Sequence, residues 1–182
     1  RGVKMIKEIF QDCVYTKISW KQIIKNCILI QLLPIQSDKK IYPKIRLMKI
    51  FYRNKIYPFA YLYKYIIFKD FNCVISPRSE MGSWIKLPHP LGIVIGENVK
   101  IGYNTTIYQN VTLGQNRGSY PVIGNNVIIY ANAVIIGDIK IGDNAIIGAN
   151  SVVLKDVPPN TIVAGSPART IKGNSNLEGR YF

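Results

Sequence analysis

The chain has 182 residues, 48% of them hydrophobic and 19% charged, and carries a formal net charge of +14. This composition belongs to globular proteins, and no stretch approaches the roughly 18 apolar residues of a membrane span. The three cysteines, Cys13, Cys27 and Cys73, are odd in number and form no C-x-x-C pair; together with the absence of a secretory apolar core at the N-terminus, they point to a reducing compartment, the cytoplasm.

Residues 1–72 hold 15 Lys/Arg against 4 Asp/Glu, so +11 of the +14 lies in this first part. Apolar clusters such as Ile23, Ile24, Cys27 and Ile28 predict short helices, broken up by residues 37–40 and by Pro34, Pro43 and Pro58. Residues 44–69 mix cations with Phe51, Tyr52, Tyr57, Phe59, Tyr61, Tyr63, Tyr65 and Phe68. The main expectation for 1–72 is a basic α-helical region that caps the next domain; a peripheral contact of residues 44–69 with an anionic membrane, at its inner face, is the second. No nucleic-acid-binding motif accompanies the charge, and nucleic acid is not an expected partner.

From Ile75 an aliphatic residue recurs every six positions. One frame runs Ile75, Met81, Leu87; the next runs Ile95, Ile101, Ile107, Leu113; the last runs Ile123, Ile129, Ile135, Ile141, Ile147, Val153. Four residues on, compact or β-branched residues repeat, with Leu91 as the exception. A helix needs a spacing near 3.6 and an ordinary strand a spacing of 2, whereas sixes fit a coil of three short flat sides. Glycine after the aliphatic residue, as at Gly96, Gly102, Gly124 and Gly142, reads as a corner that needs permissive backbone angles. The spacing therefore predicts a mainly β chain, with a parallel β-helix over 73–173 and a tail at 174–182.

His89 is the sole histidine and sits where the six-residue beat slips, between Pro88 and Pro90, which restrict its backbone. With one histidine and scattered cysteines, no zinc-type metal site is expected. No G-x-S-x-G elbow exists to present a nucleophilic serine. The insertion at residues 115–122 interrupts the ladder and reads as a projecting loop.

The segments His89-Pro90-Leu91-Gly92-Ile93-Val94-Ile95-Gly96-Glu97, Val111-Thr112-Leu113-Gly114, Ile147-Gly148-Ala149-Asn150-Ser151 and Val163-Ala164-Gly165-Ser166-Pro167-Ala168-Arg169 resemble the hexapeptide acyltransferases. The nearest branch holds the serine acetyltransferases and the O-acetyltransferases of polysaccharide synthesis. The resemblance implies a left-handed β-helix, a homotrimer and acetyl-CoA as co-substrate, with His89 as the general base. It implies a coenzyme groove lined by Gly114, Ala131, Gly148 and Ala149, with Arg169 and Lys172 meeting the nucleotide phosphates. It makes Asn116, Arg117 and Tyr120 candidates for acceptor contact, on a loop that in the family reaches over a neighbouring subunit's site.

Four positions depart from the serine acetyltransferase pattern. The acid that orients the histidine aligns with Val74, the aspartate before the histidine with Pro88, and the Arg-His-Pro after the loop with Ser119-Tyr120-Pro121. Glu97 is the candidate substitute partner for His89, and Glu80 is a poorer one. The expected activity is acetyl transfer to a hydroxyl of a saccharide or polysaccharide precursor. Serine O-acetylation is the alternative in the same chemistry, and an inactive scaffold is the alternative in another class.

Overall fold

The computed structural model describes residues 37–173. The clusters before Ser37, with Cys13 and Cys27, and the tail from 174 lie outside the described residues, as do the side chains of Ser37, Asp38 and Lys172. A short 3-10 turn, Ser37–Lys40, leads into helix α1 (Ile41–Arg53) and, after three residues, helix α2 (Tyr57–Phe71). Fourteen short strands follow, from β1 (Val74–Ile75) to β14 (Arg169–Gly173).

These strands stack into the three flat sides of a parallel β-solenoid of about four turns. One side orders β1, β3 (Val94–Ile95), β6 (Thr112–Gly114), β9 (Val134–Ile136) and β12 (Val152–Val153). A second holds β2 (Glu80–Met81), β4 (Lys100–Ile101), β7 (Val122–Ile123) and β10 (Lys140–Ile141). The third holds β5 (Thr106–Ile107), β8 (Ile128–Ile129), β11 (Ile146–Ile147), β13 (Thr161–Ala164) and the antiparallel β14. Every ladder residue from Ile75 to Val153 is buried except Met81, which is half-buried. Each fully buried aliphatic side chain contributes about 1.5–3 kcal/mol.

Two details of the repeat differ from the sequence reading. Leu91 does not point inward but is 56% exposed, and Ile93 fills the inward place two residues later. The glycines after the aliphatic residues have ordinary backbone angles. The left-handed corners are taken instead by Asn104, Asn110, Asn126, Asn132, Asn144, Asn150 and Asn160, with φ between 52° and 61°, because asparagine tolerates this region better than other side chains do. Their amides form ladders up two corners. Asn104 Nδ2 donates to Asn126 Oδ1 at 2.9 Å, and Asn126 donates to Asn144, which donates to Asn160. At the other corner Asn110 donates to Asn132 and Asn132 to Asn150.

What the glycines supply is room. A Cβ built on Gly102 would lie 2.5 Å from the carbonyl oxygen of Gly124, and one on Gly82 would lie 2.7 Å from the carbonyl carbon of Gly102. Successive coils approach so closely here that no side chain fits between them.

The ends of the stack are covered. Ile41, Ile45 and Met48 of α1, spaced i, i+4, i+7, join the solenoid core with Ile67 of α2. Polar groups of α1 satisfy the first coil's open backbone. The Tyr42 hydroxyl accepts from Leu87 N at 2.7 Å, and Lys49 Nζ donates to Ser76 O at 3.1 Å, to Ser79 Oγ at 2.7 Å and to Ser79 O. At the far end, Val157 covers β10, residues 165–168 cover β12, and β14 covers β13. Between the two helices, Phe51 packs on Phe59 and Tyr63, and buried Lys44 pairs with Asp70 at 3.4 Å.

Lys49 carries a pH-dependent consequence. Burial lowers its pKa from 10.5 to about 8, against the pull of Glu80. Below about pH 8 the folded and unfolded chains are both protonated, and the fold bears the full cost of the buried ammonium. Between about pH 8 and 10.5 the fold sheds a proton that the unfolded chain keeps, so this group's contribution to stability rises with pH. Urea unfolding of wild type and Lys49→Met at pH 7.5 and 9.5 should show the difference moving in favour of wild type by about 2 kcal/mol. A gap constant with pH would contradict this account.

Candidate functional site

The chain passes from the third side to the first at one corner, four times, and most of the candidate site residues stack along that edge. His89 occupies the lowest turn. Above it lie Tyr108, then Tyr130 and Ala131, then Gly148 and Ala149, and at the top residues 164–169. The His89 and Tyr108 rings are 6.3 Å apart, and Tyr108 stacks on Tyr130 at 5.2 Å and 19°.

The turn that presents His89 is held from several directions. Leu91 N donates to His89 O at 2.8 Å. Gly92 has φ +66°, and a Cβ there would collide with the Asn110 carboxamide, so a side chain at this position is disfavoured. Buried Pro90 anchors one flank, and the Tyr42 hydroxyl of α1 holds Leu87 two residues before the histidine. The His89 side chain itself is exposed, and no hydrogen bond engages its imidazole among the described residues. It is fixed in backbone and open to a ligand.

Glu97 does not join it. It follows β3 at the opposite end of the first side, where its carboxylate pairs with Arg78 Nη1 at 2.9 Å, both side chains being about half exposed. Glu80 faces outward on the second side and pairs with Lys100 at 3.2 Å. Val74, where the orienting acid would stand, lies on β1 opposite Val94 and is 38% exposed.

The loop residues also collect at Glu97's corner. Asn116 and Ser119 bridge through their backbones at 3.0 Å, making a tight hairpin with Arg117 at φ 49° and Gly118 at φ 84°. Asn116 and Arg117 are exposed, whereas the Tyr120 ring packs over Gly96, where a Cβ would lie 2.7 Å from it. Gly114 closes β6 at this same end. Within one chain, then, His89 with Ala131, Gly148, Ala149 and Arg169 forms one group, and Gly114, Glu97, Asn116, Arg117 and Tyr120 form another, a side's length away.

Sequence reasoning passed over Tyr108 and Tyr130. They follow Ile107 and Ile129 in consecutive coils, 22 residues apart, and that shared register was the signal available for them. Arg78, which occupies Glu97, was passed over too.

The edge suits a long anionic ligand. Above the stacked tyrosines, Ala131, Gly148 and Ala149 carry no large side chain, and Arg169 at the top is exposed, its guanidinium bonded only to Ala168 O among the described residues. Four inter-strand steps separate His89's turn from Arg169's, roughly 19 Å, a span suited to an extended thiol-bearing arm with phosphates at its far end. Lys172 continues β14 opposite Ile162. Among the described residues no group of three or more His, Cys, Asp or Glu is placed to hold a metal ion. Cys73 is buried, and burial raises its thiol pKa, so it is a packing residue.

The bacterial transferase hexapeptide (six repeats) family matches residues 120–155. The serine acetyltransferase of Staphylococcus xylosus is 41% identical over 135 residues, 72% of this chain and 62% of that protein. The structure of serine acetyltransferase from Brucella abortus strain S19 superposes with a TM-score of 0.75 at 31% identity, covering 94% of this chain and 69% of that one. Soybean serine acetyltransferase complexed with serine gives a TM-score of 0.71 at 36% identity, over 78% and 60%. The chain spans between about half and just under two thirds of the lengths of the curated relatives it matches. It belongs to the serine acetyltransferase family of hexapeptide-repeat transferases.

Proposed function

We propose that this chain transfers an acetyl group from acetyl-CoA to a hydroxyl, with serine as the preferred acceptor and His89 as the base. The observation that carries this reading is the corner itself: one exposed histidine on a rigid turn at the foot of a flat edge that ends in an exposed arginine. His89, as neutral imidazole, takes the proton of the acceptor hydroxyl as its oxygen attacks the thioester carbonyl, and then returns that proton to the departing sulfur. No covalent enzyme intermediate is needed, because the thioester is already electrophilic. Ala131, Gly148 and Ala149 leave space for the pantetheine arm, and Arg169 with Lys172 meets the phosphates.

The relatives move the preferred acceptor from a saccharide to serine. Proline, serine and tyrosine at positions 88, 119 and 120 remove groups suited to an amino acid's ammonium and carboxylate, and this keeps a saccharide hydroxyl as the second reading. Thiol release from acetyl-CoA with serine, free sugars and polymeric glycans decides between them. Release that depends on serine is the expected result; release with a saccharide alone would favour the second reading, and none with any acceptor would favour an inactive scaffold.

A homotrimer fits this reading. The outward residues of the first side are Val74, Val94, Thr112, Val134 and Val152, and those of the third are Thr106, Ile128, Ile146 and Ile162, whereas the second side shows three charged residues, Glu80, Lys100 and Lys140, with Val122. Two apolar faces therefore flank the His89 edge, and a neighbouring copy packed there would bring its own loop, with Asn116, Arg117 and Tyr120, to a histidine that the same chain's loop does not meet. Mixing inactive His89→Ala with an inactive Arg117→Ala, Tyr120→Ala variant and letting the protomers exchange should restore activity at roughly a quarter of the sites. No restoration in mixed trimers would place the whole site within one chain.

Arg169 gives a separate check on the coenzyme edge. Arg169→Ala should raise KM for acetyl-CoA by about 10–100-fold while leaving kcat nearly unchanged, the pattern of a lost charge-assisted phosphate contact.

A further inference from the structure

Helix α2 is apolar on nearly every side, yet it buries only Ala60 and Ile67. Tyr57, Tyr61, Tyr65 and Phe68, at i, i+4, i+8 and i+11, form a stripe 44–61% exposed, with Leu62 beside it at 47%. Such a helix normally lies against a partner. No helix among the described residues is long and apolar enough to cross a membrane, and α2 spans only 15 residues.

The charge around the stripe decides what kind of partner fits. Residues 37–72 hold nine Lys/Arg and two Asp/Glu. Arg53, Lys55 and Lys69 are exposed, and Lys64 lies over the Tyr61 ring at 6.0 Å. The acid on α2, Asp70, is tied to Lys44 of α1. Pairing this face with its own copy would bring like charges together, whereas anionic headgroups would meet the lysines while the rings sit at the level where polar and apolar layers join.

We propose that the aromatic and cationic face of α2 docks the chain peripherally on a membrane surface bearing anionic headgroups. This rests on α2 alone and is independent of which acceptor is acetylated.

The test uses the full chain, without acetyl-CoA, sedimented with phosphatidylcholine vesicles with and without roughly 30 mol% phosphatidylglycerol. The expected result is co-sedimentation with the anionic vesicles at low salt, falling at least about tenfold near 0.5 M salt, where the screening length is a few ångströms. Leu62→Ser, Tyr65→Ser, Phe68→Ser in combination should lower partitioning about tenfold or more with an unchanged circular-dichroism spectrum. If that variant fails to fold, Lys55→Glu with Lys69→Glu, both on exposed side chains, should give the same loss. Absence of binding at low salt, equal binding to uncharged vesicles, or binding untouched by either variant overturns the proposal. So does self-association in lipid-free solution that the serine variant abolishes, since a second copy would then be the occupant.

Discussion

His89→Ala is expected to lower kcat by a factor of about 10²–10⁴, the range that a positioned proton acceptor supplies, with the thermal midpoint almost unchanged. The side chain is exposed and makes no hydrogen bond among the described residues, so its removal leaves no cavity and orphans no partner. The turn keeps its shape through Pro90, Gly92 and the Tyr42 contact to Leu87. Steady-state thiol release, paired with circular dichroism on the same preparations, separates the two effects. A variant that turns over at the wild-type rate would remove His89 from the chemistry, and with it the reading built on the corner.

The largest structural effect is expected from one methyl group. Gly102→Ala places a Cβ 2.5 Å from the Gly124 carbonyl oxygen and 2.6 Å from its carbon. The obstacle is backbone, held in turn by the ladder that pairs β4 with β7, so relief requires two coils to move apart. About 3 kcal/mol of destabilisation is expected, at the upper end of overpacking costs, lowering the thermal midpoint by roughly 6–12 °C. Gly114→Ala is the control: its Cβ would meet Ile136 Cγ1 at 3.4 Å, and under about 1 kcal/mol is expected. Thermal melts of both variants at one protein concentration test the contrast, and equal shifts would mean that the close approach at Gly102 does not matter.

The ladder was legible because burial and period coincide: a residue that faces inward once per side must recur every six positions, and Ile75 through Val153 do. Where the period slips, the reading slipped with it. Leu91 fitted the arithmetic and Ile93 did not, but the left-handed turn at Gly92 rotates the chain so that Ile93 enters the core. The corner glycines were noticed for the wrong reason, since a sequence shows that a side chain is missing and not what occupies its place. The asparagines, three residues after the aliphatic positions, carried the conformational signal.

The candidate site was legible in its pieces and less so in its grouping. His89, Ala131, Gly148, Ala149 and Arg169 lie on one edge because each occupies an equivalent corner, and equivalence can be counted along a repeat. Glu97 is only eight residues from His89, yet a full flat side separates them, so nearness in sequence misled. With Glu97 held by Arg78 and Val74 apolar, the described residues offer His89 no acidic side chain as a hydrogen-bonding partner.

The covers at the two ends of the stack have a consequence beyond the single chain. A parallel column of coils presents the same row of amides at every level, which is the geometry of a fibril, and nothing in the repeat itself says where to stop. Here the length is set by chemistry that does not repeat. Tyr42 and Lys49 occupy backbone groups at one end, and Val157, residues 165–168 and the reversed strand β14 occupy those at the other. The molecule is in this sense a fibre of fixed length, its growth terminated at both ends by segments that another chain's coil cannot extend.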